Sequence, residues 1–104
     1  MKDYEITKGE RFDLEVTDTE GVSARLLVSP TAGDTAVIDV TAPFTDNKAY
    51  LTALGADTDI AVGSYVYEIR VYDEDNEYIT LGDNCQDGVC VLPKLTVCAG
   101  VEVA

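Results

Sequence analysis

The sequence predicts an all-β domain, an immunoglobulin-like antiparallel β-sandwich of about seven short strands. Three observations predict it. Within the stretch Leu51–Leu81 a strict alternation runs from Tyr65 onward, with Tyr65, Tyr67, Ile69 and Val71 on one face and Val66, Glu68, Arg70 and Tyr72 on the other, the two-residue period of a half-buried strand. Strand-like runs separated by turn residues recur about every ten residues along the chain. Apolar residues spaced i, i+3, i+4, i+7 over a useful length, the signature of an amphipathic helix, do not occur.

Taken in order, Phe12, Leu14 and Val16 alternate with Asp13, Glu15 and Thr17, and Thr17-Asp-Thr-Glu-Gly21 turns the chain. Val22–Ser29 reads as the next strand, closed by Pro30-Thr-Ala-Gly-Asp34, and Ala36–Ala42 as a third, ended by Pro43. Ala49–Leu54 fits a short strand or one helical turn, and the loop Gly55–Val62 leads into the Tyr-rich strand. Asp73-Glu-Asp-Asn-Glu77 then turns into a return strand beginning Tyr78-Ile79-Thr-Leu81, so that a hairpin forms the heart of the sandwich. Val89–Val97 closes the chain, with Pro93 marking an edge or a bulge because it cannot donate to a ladder. The shared period assigns Phe12, Leu14, Val16, Leu26, Val28, Ile38, Val40, Tyr65, Tyr67, Ile69 and Val71 to the core.

With 104 residues, 46% hydrophobic and 26% charged, and without repeats or low-complexity tracts, residues 1–104 read as one globular domain. The start Met1-Lys-Asp-Tyr-Glu shows no apolar leader segment, which favours a chain that stays in the cytosol. Twenty acidic against seven basic residues give a net charge of −13. Such a field repels phosphate backbones and anionic lipid, so neither nucleic acid nor membrane is expected as a partner; solubility or docking onto a basic protein surface accounts for the charge.

No histidine is present, which removes the commonest general base and the commonest metal ligand. The expectation is a non-enzymatic protein with no catalytic residues, no cofactor and no metal. Three cysteines remain to be placed. Asn84-Cys85-Gln86-Asp87-Gly88-Val89-Cys90 centres on Asp-Gly, the preferred pair for a two-residue hairpin turn. A turn at Asp87-Gly88 sets Cys85 opposite Cys90, making these two a possible disulfide. Zinc would need a fourth, carboxylate ligand beyond the three thiols, and Cys98 is expected to pack as a small apolar residue. Asp73–Glu77 is oxygen-rich but lacks the glycine and distal glutamate of a calcium loop, and Asp57 and Asp59 read as loop polarity. Tyr65 and Tyr67 should line the core, one hydroxyl reaching a backbone carbonyl as in a tyrosine corner. Tyr72 and Tyr78 fall outside the core set, near the hairpin tip, and are the possible partner contacts.

Read end to end, the chain resembles a family of small bacteriophage virion structural proteins related to the N-terminal domain of phage baseplate upper proteins. The matching pieces are Ile6-Thr-Lys-Gly9-Glu-Arg-Phe12-Asp-Leu14, Ala24-Arg-Leu-Leu27, Thr52-Ala-Leu54, Gly63-Ser-Tyr65-Val-Tyr67-Glu-Ile69, Asp73–Glu77, Leu81-Gly82 and Val91-Leu-Pro93-Lys-Leu-Thr96-Val97. The cysteine-flanked stretch Asp83–Cys90 and the long loop Gly55–Val62 depart from the pattern. The resemblance implies an immunoglobulin-like virion component made in the host cytoplasm and bound in many copies, with self-association, to phage capsid or tail proteins. A capsid decoration (cement) protein is its first expectation and a tail, neck or baseplate component its second. A cellular or secreted immunoglobulin-like binding module is the alternative outside that family.

Overall fold

The computed structural model describes residues 2–81, 84–86 and 89–101. They form ten short strands: β1 (Tyr4–Thr7), β2 (Phe12–Thr17), β3 (Ser23–Ser29), β4 (Ile38–Pro43), β5 (Lys48–Ala53), β6 (Gly63–Tyr72), β7 (Tyr78–Leu81), β8 (Asn84–Gln86), β9 (Val89–Val91) and β10 (Lys94–Cys98). The described residues contain no helix. A six-stranded sheet runs β1-β10-β6-β3-β4 with β7 added beside β6, and the pairs β2-β5 and β8-β9 each form a two-stranded sheet. Ladders are antiparallel apart from β1 with β10, which run parallel.

The ten-residue β6 is the organising strand. β3 lies along one of its edges, while β10 and β7 share the other, β10 pairing Gly63–Val66 and β7 pairing Ile69–Tyr72. Its inward residues Tyr65, Tyr67, Ile69 and Val71 are buried against Ala24, Leu26 and Val28 of β3, Leu95 and Val97 of β10, and Leu14, Val16, Ala49, Leu51 and Ala53 of the small sheet. Two expected core residues, Phe12 and Val40, are only half-buried, packed against the cluster rather than inside it. Phe12 opens β2 and meets Tyr4 edge-on at 5.2 Å, and Val40 sits on the outermost strand of the large sheet.

Two connections differ from the reading of the sequence, the closing run and the return strand. Ala49–Leu54, open to a strand or a helical turn, forms strand as β5, Lys48–Ala53, reached through Asp46 and Asn47 at φ 52° and 64°. These positive angles make the tight turn that Thr45 and Lys48 close by exchanging backbone hydrogen bonds of 2.8 and 3.1 Å. The closing run is two strands, not one, because Leu92-Pro93 interrupts it. Pro93 is fully buried, and its carbonyl accepts from the Tyr67 amide at 3.0 Å. The return strand β7 is a short addition to the sheet, so the heart of the sandwich is β6 between β3 and β10 rather than the β6–β7 hairpin.

Both core tyrosines satisfy their hydroxyls on backbone carbonyls. Tyr65 donates to Ala61 at 2.6 Å, four residues upstream, and Tyr67 donates to Lys2, fastening the start of the chain to the sheet. Among the described residues no buried side-chain nitrogen or oxygen lacks a partner.

Candidate functional site

On the outer face of the large sheet the register sets Arg25 of β3 directly opposite Arg70 of β6. Like charges so placed repel, and the sheet compensates from both sides. Asp39 on β4 accepts from Arg25 Nε at 2.7 Å and from its Nη2 as well. Glu68 pairs with Arg70 and also accepts from Thr80 at 3.2 Å. The bond from Arg25 holds the Asp39 carboxyl below its ordinary range. A groove of about 450 Å³ continues from these pairs over Leu27 and Val66 to the loop at Gly33–Ala36. Both arginines are already paired with carboxylates, and Asp34 at the far end accepts from the Thr31 hydroxyl at 2.6 Å.

The other end of the same face is different. Tyr72, at the end of β6, pairs with Tyr78, at the start of β7, and their rings lie 5.5 Å apart and tilted. Arg70 lies over the Tyr78 ring at 4.3 Å, a cation–π contact. Arg25 Nη1 donates to the Tyr72 hydroxyl at 3.4 Å, and this bond, with a like effect from Arg70, holds the Tyr72 phenol below its usual pKa. Tyr78 remains 48% exposed and Ile79 60%. Ile79 pairs with the buried Val71 and so belongs to the inner face, yet it remains exposed there; among the described residues β7 pairs with β6 alone. A pocket of about 240 Å³ wraps this end, walled by Gly21, Val71, Tyr72, Tyr78 and Ile79 and rimmed by Asp18, Glu20, Asp73 and Glu77.

The rim is built by the turns themselves. Asp18 Oδ1 accepts from the amides of Glu20 and Gly21, both at 2.8 Å. Asp73 Oδ1 accepts from those of Asp75 and Glu77 at 2.9 and 3.0 Å, with Asn76 in the left-handed region at φ 61°. These are Asx-type turns, which fix both carboxylates beside the tyrosines. Gly21 is required at its position, since a Cβ there would stand 2.7 Å from both the Phe44 ring and Val71.

The remaining residues singled out in the sequence lie elsewhere. Asp57 Oδ2 accepts from the Leu54 amide at 2.9 Å and Asp59 pairs with Lys8 at 3.4 Å, both at the opposite end of the sandwich. Cys98 is a free thiol on the outward face of β10. It is not the apolar filler expected, because its Sγ donates to Glu5 at 3.2 Å, a bond that, with burial, raises its pKa. Cys85 and Cys90 are register partners in the β8–β9 ladder, while the expected turn at Asp87-Gly88 lies outside the described residues. Among the described residues no three His, Cys, Asp or Glu side chains cluster as metal ligands.

No family model matches the chain, and no curated protein matches it. Among solved structures it is similar to CopC from Methylosinus trichosporium OB3b, at 18% identity and a TM-score of 0.54, covering 100% of this chain and 91% of that one. At that identity the likeness establishes the β-sandwich fold alone. The expected kinship with phage virion proteins is nonetheless overturned, for the structural likeness is to CopC and no family model matches the chain to support the phage pattern. The capsid decoration reading, its tail or baseplate counterpart and the virion location fall with it. The reason is physical: Gly-x-Tyr-x-Tyr-x-Ile opening a strand, and Val-x-Pro-x-Leu-Thr-Val near the end, are what a half-buried central strand with a tyrosine corner and a proline-interrupted neighbour require in any such sandwich.

Proposed function

We propose that this protein is a cellular or secreted binding module that works without turnover, docking a basic protein partner at the Tyr72–Tyr78 end of its large sheet. The observation that carries the proposal is the combination at one place of paired, partly exposed tyrosines, an exposed isoleucine and four rim carboxylates. Tyrosines are favoured anchors in interfaces because they bury a large area at low entropic cost, and carboxylates around them select a lysine or arginine side chain. The net charge of −13 reinforces that selection and steers basic partners towards the surface. The wider groove beside Arg25 and Arg70 is the weaker candidate because its ion pairs are already satisfied. The test is titration of isotope-labelled protein with a short lysine- and arginine-rich peptide, followed by amide chemical shifts. The proposal expects perturbations concentrated at Gly21, Tyr72, Asp73, Tyr78 and Ile79, and their loss in Tyr78→Ala. Perturbations spread evenly over the acidic surface, or centred on the Gly55–Val62 loop, would overturn it.

A further inference from the structure

Among the described residues the β8–β9 pair is a two-stranded sheet that shares no ladder with either of the others. An isolated hairpin of that kind is marginally stable in water, and each of its strands has only three residues. Its register pairs Asn84 with Val91, Cys85 with Cys90 and Gln86 with Val89. Residues opposite one another in an antiparallel ladder have Cα atoms roughly 4.5–5.5 Å apart, inside the span of about 4.4–6.8 Å that a disulfide bridges. The third cysteine, Cys98, lies in β10 of the large sheet, where its thiol is engaged with the Glu5 carboxylate.

We propose that Cys85 and Cys90 form a cross-strand disulfide that staples this hairpin, and that Cys98 stays reduced. The geometry assigns the pair, because the ladder itself brings the two residues opposite each other. With a small-molecule disulfide such as oxidised glutathione as oxidant, one protein thiolate attacks a glutathione sulfur and expels one glutathione thiolate. The second protein thiolate then attacks the mixed disulfide and expels the other. One S–S bond forms in the protein, one breaks in the reagent, and the two thiol protons end on the two glutathiones. The Glu5 carboxylate beside Cys98 disfavours its thiolate, the reactive form, which keeps it out of the exchange.

The experiment is incubation of the intact protein with oxidised glutathione, alkylation of remaining thiols and tryptic mass mapping. Cleavage after Arg70 and Lys94 places Cys85 and Cys90 in one peptide and Cys98 in another. The proposal expects the first peptide unalkylated and lighter by two hydrogens, and the second alkylated. Amide exchange in β8 and β9 should slow by roughly 40-fold on oxidation, the loop-closure entropy of a ring of about six residues, with no such change in Cys85→Ser. Cys98→Ser should leave the crosslink intact. Alkylation of all three cysteines after oxidation, or a bond from Cys98 to either of the others, would overturn the assignment.

Discussion

Replacing Tyr67 by phenylalanine isolates the contribution of one buried hydroxyl, and the structure fixes both sign and size. The ring is 2% exposed and its hydroxyl donates to the Lys2 carbonyl. Burial, with smaller contributions from Tyr4 and Asp3 nearby, pushes its pKa up from 10.0 to about 12. The folded state therefore keeps this proton over a range in which the unfolded chain has lost it. Stability from this group is complete below pH 10 and declines as pH rises through about 12, by up to roughly 2.7 kcal/mol at about 1.36 kcal/mol per unit. At neutral pH the substitution should cost about 1 kcal/mol, the net worth of one hydrogen bond. Urea unfolding across alkaline pH measures both quantities, and tyrosinate absorbance follows the ionisation directly. The phenylalanine variant should lose the steep alkaline decline that belongs to this one group. An alkaline profile parallel to that of the wild type would refute the assignment of the shift to Tyr67.

Two further outcomes follow from the same coordinates. Asp39→Asn removes the counterion of Arg25 and leaves it facing Arg70, so stability should fall by about 1 kcal/mol or less for so exposed a pair, and by more at low salt than at high. Because the Asp39 carboxyl is held low in the folded state, its contribution is present above about pH 4 and disappears as pH falls through the folded value, which acid unfolding of the wild type and the variant would compare. Gly21→Ala sets a methyl against Phe44 and Val71 and should destabilise by about 1–3 kcal/mol in denaturant titration, loosening the pocket at the same time.

The alternation of Tyr65, Tyr67, Ile69 and Val71 was legible because β6 is long and buried on one face only. Ala24, Ala49 and Ala53 are completely buried and were not, since alanine gives little hydropathy contrast and its burial depends on how closely the small sheet approaches. Leu95 and Val97 lay within the closing run Val89–Val97 but outside the expected core, because Pro93 read as an edge or a bulge rather than as a buried joint between strands. Part of the site was visible: Tyr72 and Tyr78 stood outside the core pattern, and the structure brings their rings together. The exposure of Ile79 was hidden, because its pairing with the buried Val71 puts it on the inner face, where alternation alone would bury it. The arginine network was hidden as well, since Arg25 and Tyr72 meet only through the pairing of β3 with β6.

In the proposed function the Tyr72–Tyr78 end recognises a basic partner by specific carboxylates and aromatic rings, not by net charge alone. The most direct measurement is the salt dependence of affinity for one lysine- and arginine-rich peptide, taken for the wild type, for Glu20→Gln with Glu77→Gln, and for Asp34→Asn with Asp59→Asn at the opposite end of the sandwich. Both double variants lower the negative charge equally, so bulk attraction predicts equal losses. The Glu20 and Glu77 variant should bind at least tenfold more weakly with a shallower salt dependence, while the Asp34 and Asp59 variant stays close to the wild type. Equal weakening in the two double variants would contradict the proposed function.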